Sequence, residues 1–196
     1  MNKNEIIQII NKLYKKINST KISVNYRELH NIKDNSFTYG EIEVEEFLKI
    51  LDLVDFRRDS IFYDLGSGSG KAVISAYLYK NPQKAIGIEY IPDLVNISKQ
   101  VLLKLKEILK SDVPIEFIND DIKNYDFTDG NIIFAHATCF SEELLKSIFE
   151  KIKKLKPNSY IIIVTKELKA DFLKLLFQKE FRFSWGYGLV RIYEKI

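Results

Sequence analysis

The sequence predicts an α/β fold: a mostly parallel central sheet covered by helices on both faces and finished by an antiparallel hairpin. Three observations predict it. From Ser60 onward, short apolar runs alternate with helix-period stretches; the first run empties into a glycine-rich turn ahead of a helical pattern; and two strand-like runs stand close together at the C-terminus. With 196 residues, 46% of them hydrophobic, the chain has core material for one compact domain and no room for a second large one.

The elements follow in order. Ile6, Ile9, Ile10, Leu13 and Ile17 recur at three- and four-residue steps, which marks an amphipathic helix over residues 4–17. Asn18 to Tyr39 is polar and reads as irregular. Val44, Phe47, Leu48, Leu51 and Val54 share one face of a second helix. Residues 1–55 therefore form an N-terminal helical segment, and 56–196 the domain that carries the ligand site.

Strand candidates are Ile61–Leu65, Lys84–Glu89, Ile115–Asn119, Asn131–His136 and Ser159–Thr165, most with the unbroken hydrophobicity of a strand buried on both faces. Helix patterns lie between and after them at Lys71–Tyr79, Asp93–Lys110, Glu142–Leu155 and Lys169–Lys179. At the end, Phe181–Trp185 and Leu189–Glu194 are joined by Gly186-Tyr187-Gly188, a hairpin signal.

Composition narrows the function classes. Net charge is +3 with the lysines scattered, and the group Lys12, Lys15, Lys16 and Lys21 sits on a helical pattern as a solvated face, so there is no strong nucleic-acid signal. A single cysteine, Cys139, excludes an intramolecular disulfide and a multi-cysteine zinc site, and no metal is expected. The N-terminus lacks a signal-peptide pattern and no apolar run reaches the roughly 18 residues of a membrane span. The expectation is a soluble, cytoplasmic protein, with no sequence feature that sets an oligomeric state.

The strongest local signal is Ile61-Phe62-Tyr63-Asp64-Leu65-Gly66-Ser67-Gly68-Ser69-Gly70, an apolar strand running into a glycine-rich turn. Such a turn lets backbone approach a nucleotide-like ligand where a Cβ would collide. Lys71 is followed by Ala72 and the glycines are too close together for a P-loop, which argues against nucleoside triphosphate. The spacing is G-x-G-x-G instead of the dinucleotide G-x-G-x-x-G, which argues against NAD. Asp64 suits a cofactor with a cationic ammonium and repels a pyrophosphate; S-adenosyl-L-methionine carries that ammonium. Glu89 ends the next strand, nineteen residues beyond Gly70, where a carboxylate can accept bonds from both ribose hydroxyls. The Glu89 feature alone fits NAD equally well. After the third strand comes Asn119-Asp120-Asp121-Ile122, where Asp121 is the candidate acceptor for an adenine amino group and Ile122 the candidate cover for the ring. An ordinary turn acid is the alternative for Asp121.

With these residues the chain resembles the Dot1-like branch of the class I methyltransferases, known for methylating protein lysines. The resemblance spans most of residues 37–196 and rests on four stations: Phe37-Thr38-Tyr39-Gly40-Glu41 ahead of a helix, the Asp64–Gly70 turn, Gly87-Ile88-Glu89, and Ser184-Trp185. It implies the Rossmann-like class I fold, S-adenosyl-L-methionine as cofactor and a protein lysine as acceptor. It also implies that Glu41 sits over the methionine moiety, while Asp64, Gly66, Glu89 and Asp121 hold the amino-acid end, a backbone-facing edge, the ribose and the adenine. Gly68 and Gly70 complete the cofactor turn. Read without the family, Glu41 is an acid in the first turn of a helix, favoured by the helix dipole.

One segment departs from the family. Where members carry asparagines bordering the methyl-transfer channel, the chain reads Phe134-Ala135-His136-Ala137-Thr138-Cys139-Phe140, with His136 in place of the first. The basic nucleosome-binding extensions of eukaryotic members are not among these residues, which weighs against a histone acceptor.

Methyl transfer is an in-line displacement that needs alignment and no covalent enzyme intermediate. A lysine acceptor must arrive neutral, and an apolar or aromatic channel lowers its pKa from about 10.4 by desolvation. Tyr39, Phe140, Trp185 and Tyr193 are the candidate channel walls, each with ordinary core packing as its alternative. His136 is a candidate general base, with an orienting or structural role as alternatives. Cys139 reads as a small core residue. Methylation of a small metabolite or RNA, and cofactor binding without turnover, stay open beside the protein-lysine reading.

Overall fold

The computed structural model describes residues 1–33 and 40–196. Helices α1 (Lys3–Tyr14), α2 (Ser19–Leu29) and α3 (Val44–Leu51) precede strand β1 (Ile61–Leu65). Then α4 (Lys71–Lys80), β2 (Lys84–Glu89), α5 (Pro92–Leu109), β3 (Ile115–Asn119), β4 (Ile132–Ala135), α6 (Glu142–Ile152) and β5 (Tyr160–Val164) alternate, and β6 (Leu173–Phe183) and β7 (Gly186–Lys195) close the chain. The seven strands lie in the order β3-β2-β1-β4-β5-β7-β6, with β1 to β5 mutually parallel and β7 antiparallel to both of its neighbours.

Strand order reverses at β1, whose neighbours are β2 and β4. Crossovers on either side of that point leave opposite faces of the sheet, so a crevice opens beyond the carboxyl ends of β1 and β4. Successive residues of the central strands feed two cores. Phe62, Ile132 and Ile162 pack with α1, α3, α4 and α5, while Tyr63, Ile133 and Ile161 pack with α6. That division explains the continuous apolar runs, since a strand covered on both faces has no polar side to alternate with.

Local chemistry sets several boundaries. Asn2 caps α1 by accepting from the Glu5 amide at 3.0 Å, and Glu5 returns a bond from the Asn2 amide at 2.9 Å. Ile6, Ile10 and Leu13 of that helix are buried in the core shared with α4. Ser141 caps α6 through the Leu144 amide.

Two expectations fail. The stretch from Asn18, read as irregular, holds α2; its Asn18 side chain accepts from the Lys21 amide at 2.9 Å, and it packs on α5 chiefly through small or polar residues such as buried Ser23. A helix without an apolar stripe gives no periodic signal. Asp34 to Tyr39 of that stretch lie outside the described residues. The helix expected at Lys169–Lys179 does not form: residues 169–172 lie ahead of β6, and residues 173–179 are its first part. Leu, Lys and Gln are good helix formers, but pairing with β7 along ten registered positions outweighs that preference. The hairpin turn accordingly moves from Gly186-Gly188 to Ser184-Trp185, between Phe183 and Gly186. Among the described residues no helix is long and apolar enough to cross a membrane.

Candidate cofactor and acceptor site

The glycine-rich turn lies at the carboxyl end of β1, and Gly66, Gly68 and Gly70 all take positive φ, at 85°, 54° and 85°. At Gly70 an added Cβ would come within 2.4 Å of the Phe117 ring, so conformation and space both demand glycine. The turn is held from below as well. The buried Tyr14 hydroxyl of α1 donates to the Ser69 carbonyl at 2.9 Å, and Lys71 Nζ lies 5.2 Å from the centre of the Tyr14 ring.

Asp64, on the last turn of strand before the glycines, is 3% exposed. Among the described residues no hydrogen bond or cation reaches its carboxylate. Burial first, and the charge of Glu89 second, raise its pKa from 3.8 to about 8. Ser67 Oγ, lining the same cleft, is buried without a partner among the described residues. Unpaired buried polar groups that face one cleft call for a partner the chain does not itself supply. Opposite them, Lys71 pairs with Glu41, whose other oxygen accepts from Ser69 Oγ at 3.3 Å. A cleft offering a carboxylate beside an ammonium fits the zwitterionic amino-acid end of S-adenosylmethionine.

Glu89, also buried, accepts from the Gly68 amide at 2.9 Å and from Ile91 at 2.8 Å. Burial raises its pKa, and those two backbone bonds oppose the rise. Its carboxylate is thus fixed beside the glycine turn, where a ribose would lie. Asp121 follows β3, but one of its oxygens accepts from the Lys123 amide at 2.8 Å, the geometry of a turn-capping acid; the other is 3.8 Å from Lys123 Nζ. Ile122 is 8% exposed and packs in the α6-side core.

On the acceptor side, His136 extends from the end of β4. Its Nδ1 is 2.8 Å from the Gly40 carbonyl, so Nδ1 carries the proton and donates. Its Nε2 is thereby an acceptor, and receives the Trp185 indole N–H at 3.3 Å. The ring also stacks on Phe183 at 4.9 Å, and burial holds its pKa below the usual value against the Gly40 bond. A Cβ on Gly40 would meet His136 at 2.9 Å and Trp185 at 3.0 Å, so the close approach requires glycine there. The hairpin tip is fastened further by Ser184, whose amide donates to the Glu41 carbonyl at 2.9 Å and whose Oγ accepts from the Glu41 amide at 3.2 Å.

Phe140 is buried and lies over Gly66, with its ring 3.4 Å from where a Cβ would be. Trp185 is half exposed at the hairpin tip. Tyr193 is not brought to the site. It is buried in the α6-side core, its hydroxyl accepts from the Leu168 amide at 3.1 Å, and it pairs with Ile161 near the start of β5, away from the carboxyl edge. Tyr39 lies outside the described residues. Sequence reading missed Lys71 as a site cation, although it adjoins the glycines, and missed Tyr14, which carried only the signal of a helix core position.

A topological switch point, a glycine turn with unpaired Asp64 and a fixed ribose-side Glu89 define a class I S-adenosylmethionine-dependent methyltransferase. A solved S-adenosylmethionine-dependent methyltransferase from Aquifex aeolicus shares the fold with a TM-score of 0.61 at 17% identity, over 92% of this chain and 100% of that one. Residues 18–180 match the family described as histone methylation protein DOT1, and the chain belongs to that family. A histone-lysine N-methyltransferase, H3 lysine-79 specific, of Dictyostelium discoideum is 32% identical over 152 residues, 73% of this chain and 8% of the relative. A protein-lysine N-methyltransferase of Saccharolobus islandicus is 28% identical over 119 residues, covering 58% of this chain and 67% of its own length. The chain thus spans a small fraction of the Dictyostelium relative and most of the archaeal one.

Proposed function

We propose that the chain N-methylates lysine side chains of a protein substrate. The observation that carries the reading is the pairing of the Asp64 cofactor cleft with an aromatic rim, Phe140 over Gly66 and Trp185 at the hairpin tip. The named activity of the archaeal relative, similar to this chain over most of its own length, supports a protein lysine as acceptor. S-adenosylmethionine, when bound, supplies an electrophilic methyl group whose bond to sulfur breaks as a nitrogen attacks from the opposite side.

The residues of the chain act by holding and excluding. Asp64 takes the cofactor's ammonium, Lys71 its carboxylate, and Glu89 its ribose hydroxyls. Phe140 and Trp185 form an apolar approach that favours the neutral amine over the ammonium. Both His136 nitrogens are engaged, so the histidine orients Gly40 and Trp185, and the proton lost by the amine passes to solvent. A histone is not singled out as the acceptor.

The test is incubation with methyl-labelled S-adenosylmethionine and a deproteinised extract, an RNA fraction and a protein fraction in parallel, with Asp64→Ala as control. The expected outcome is label in lysine of the protein fraction, absent with the variant. Label confined to RNA or small metabolites would overturn the acceptor, and cofactor binding with no transfer to any fraction would overturn the enzyme reading.

A further inference from the structure

The turn that follows β3 is flanked by a strand on one side only, because β3 is the edge of the sheet. It is nonetheless closed tightly on itself, with the amides of Asn124 and Tyr125 donating to the Asp121 carbonyl at 2.8 and 3.0 Å. Such a closed turn leaves its later carbonyls pointing out at one end, as a helix C-terminus does. Three of them converge on one cation. Lys151, in the last turn of α6, donates from Nζ to the carbonyls of Ile122 at 2.6 Å, Lys123 at 2.8 Å and Tyr125 at 2.6 Å. An ammonium has three hydrogens, so its donors are fully used. The Phe127 ring lies 5.5 Å from the same nitrogen, and Ile148 and Ile152 of α6 share a core with Ile122 and Phe127.

We propose that Lys151 is the positioning residue of the adenine subsite. The inference rests on the cofactor reading above and adds to it a residue from the opposite side of the turn. Asp121 and Ile122, the adenine candidates, sit on the turn whose carbonyls Lys151 gathers. Without the ammonium, three carbonyl dipoles would face one another at the edge of a core, and the turn would rotate them toward water. That rotation would carry Asp121 and Ile122 out of register with the purine, while leaving the amino-acid end of the pocket on β1 untouched.

The readout is therefore selectivity for the base. S-adenosylhomocysteine and S-inosylhomocysteine differ only along one purine edge, the six-amino group becoming a carbonyl and N1 gaining a proton, and their dissociation constants are measured by calorimetry on wild type, Lys151→Met, Lys151→Gln and Lys151→Arg. The wild type is expected to prefer the adenine ligand by roughly ten-fold or more, as a site that hydrogen-bonds a purine edge does. In Lys151→Met the adenine ligand weakens by about ten-fold and the preference collapses toward one, and Lys151→Arg recovers both in large part. Should the methionine variant fail to fold, Lys151→Gln, which keeps two donors, carries the same comparison. Unchanged affinities in a folded variant, or equal loss for both ligands with the preference intact, would overturn the positioning role while leaving the cofactor reading standing. Failure of the wild type to bind S-adenosylhomocysteine would sink both.

Discussion

His136 is the site residue both of whose ring nitrogens have partners in the fold. A base must have a free lone pair, and the one lone pair of this ring already accepts the indole N–H of Trp185 at 3.3 Å, because Nδ1 is spent on Gly40. Protonation would set two N–H groups against each other, and burial disfavours it further. His136→Ala is therefore expected to slow methyl transfer by about ten- to a hundred-fold through a displaced Gly40 and Trp185. The acid limb of the pH–rate profile is expected to stay where it is in the wild type. A limb that disappears in the variant would restore the histidine as the base. Sequence reading carried base, orienting and structural roles side by side because a tautomer is set by partners. Those partners are 49 and 96 residues away in the chain. The placement of Asp64 and Glu89 beside the glycine turn was legible for the converse reason: each lies at or one residue before the end of a strand, and strand ends are visible in a single sequence.

At the scale of elements, β1 and β2 were legible to the residue because buried parallel strands are nearly uninterrupted apolar runs, and β3, at the sheet edge, because Ile115, Phe117 and Asn119 alternate with Glu116 and Ile118 between turn residues. Strand β6 was not, because its outer positions are exposed and mixed, and only pairing with β7 decides its conformation. Helix α1 was legible as a helix and invisible as part of the site. Its Tyr14 touches Ser69 from 55 positions away, a contact no local pattern encodes. Tyr14→Phe keeps the ring beneath Lys71 and removes the buried hydrogen bond to the turn. The variant is expected to lose about 1 kcal/mol of stability in denaturant unfolding, together with a several-fold weakening of S-adenosylhomocysteine binding. Weakened stability with unchanged binding would confine Tyr14 to the core. Unchanged stability would show that the hydroxyl exchanges Ser69 for water without cost.

For the whole molecule, buried and paired carboxylates act on the pH dependence of folding with opposite signs. Asp52 is desolvated, yet bonds from Lys3 at 2.5 Å, Tyr79 at 2.7 Å and Lys80 at 3.0 Å outweigh that and lower its pKa from 3.8 to about 2. Its contribution is present above pH 3.8 and disappears as pH falls through 2; with the side chain 39% exposed, solvent screening keeps it small. Asp64 behaves inversely. Native chain keeps its proton up to about pH 8 while the unfolded chain releases it near 3.8, so between those values the native state holds more protons and each rise in pH costs stability. Glu89, raised by burial, acts in the same direction. The cofactor-free protein is therefore expected to be more stable at pH 5 than at pH 8, and Asp64→Asn to flatten that slope and gain stability at pH 8. In the proposed site, saturating S-adenosylhomocysteine is expected to set its ammonium against the carboxylate, restore the ionised form and make the bound protein gain most where the free protein is weakest. Urea unfolding at the two pH values, with and without ligand, reads all three terms. A wild-type slope that persists in Asp64→Asn would mean that the unpaired carboxylate is not where the cleft holds its unspent electrostatic energy.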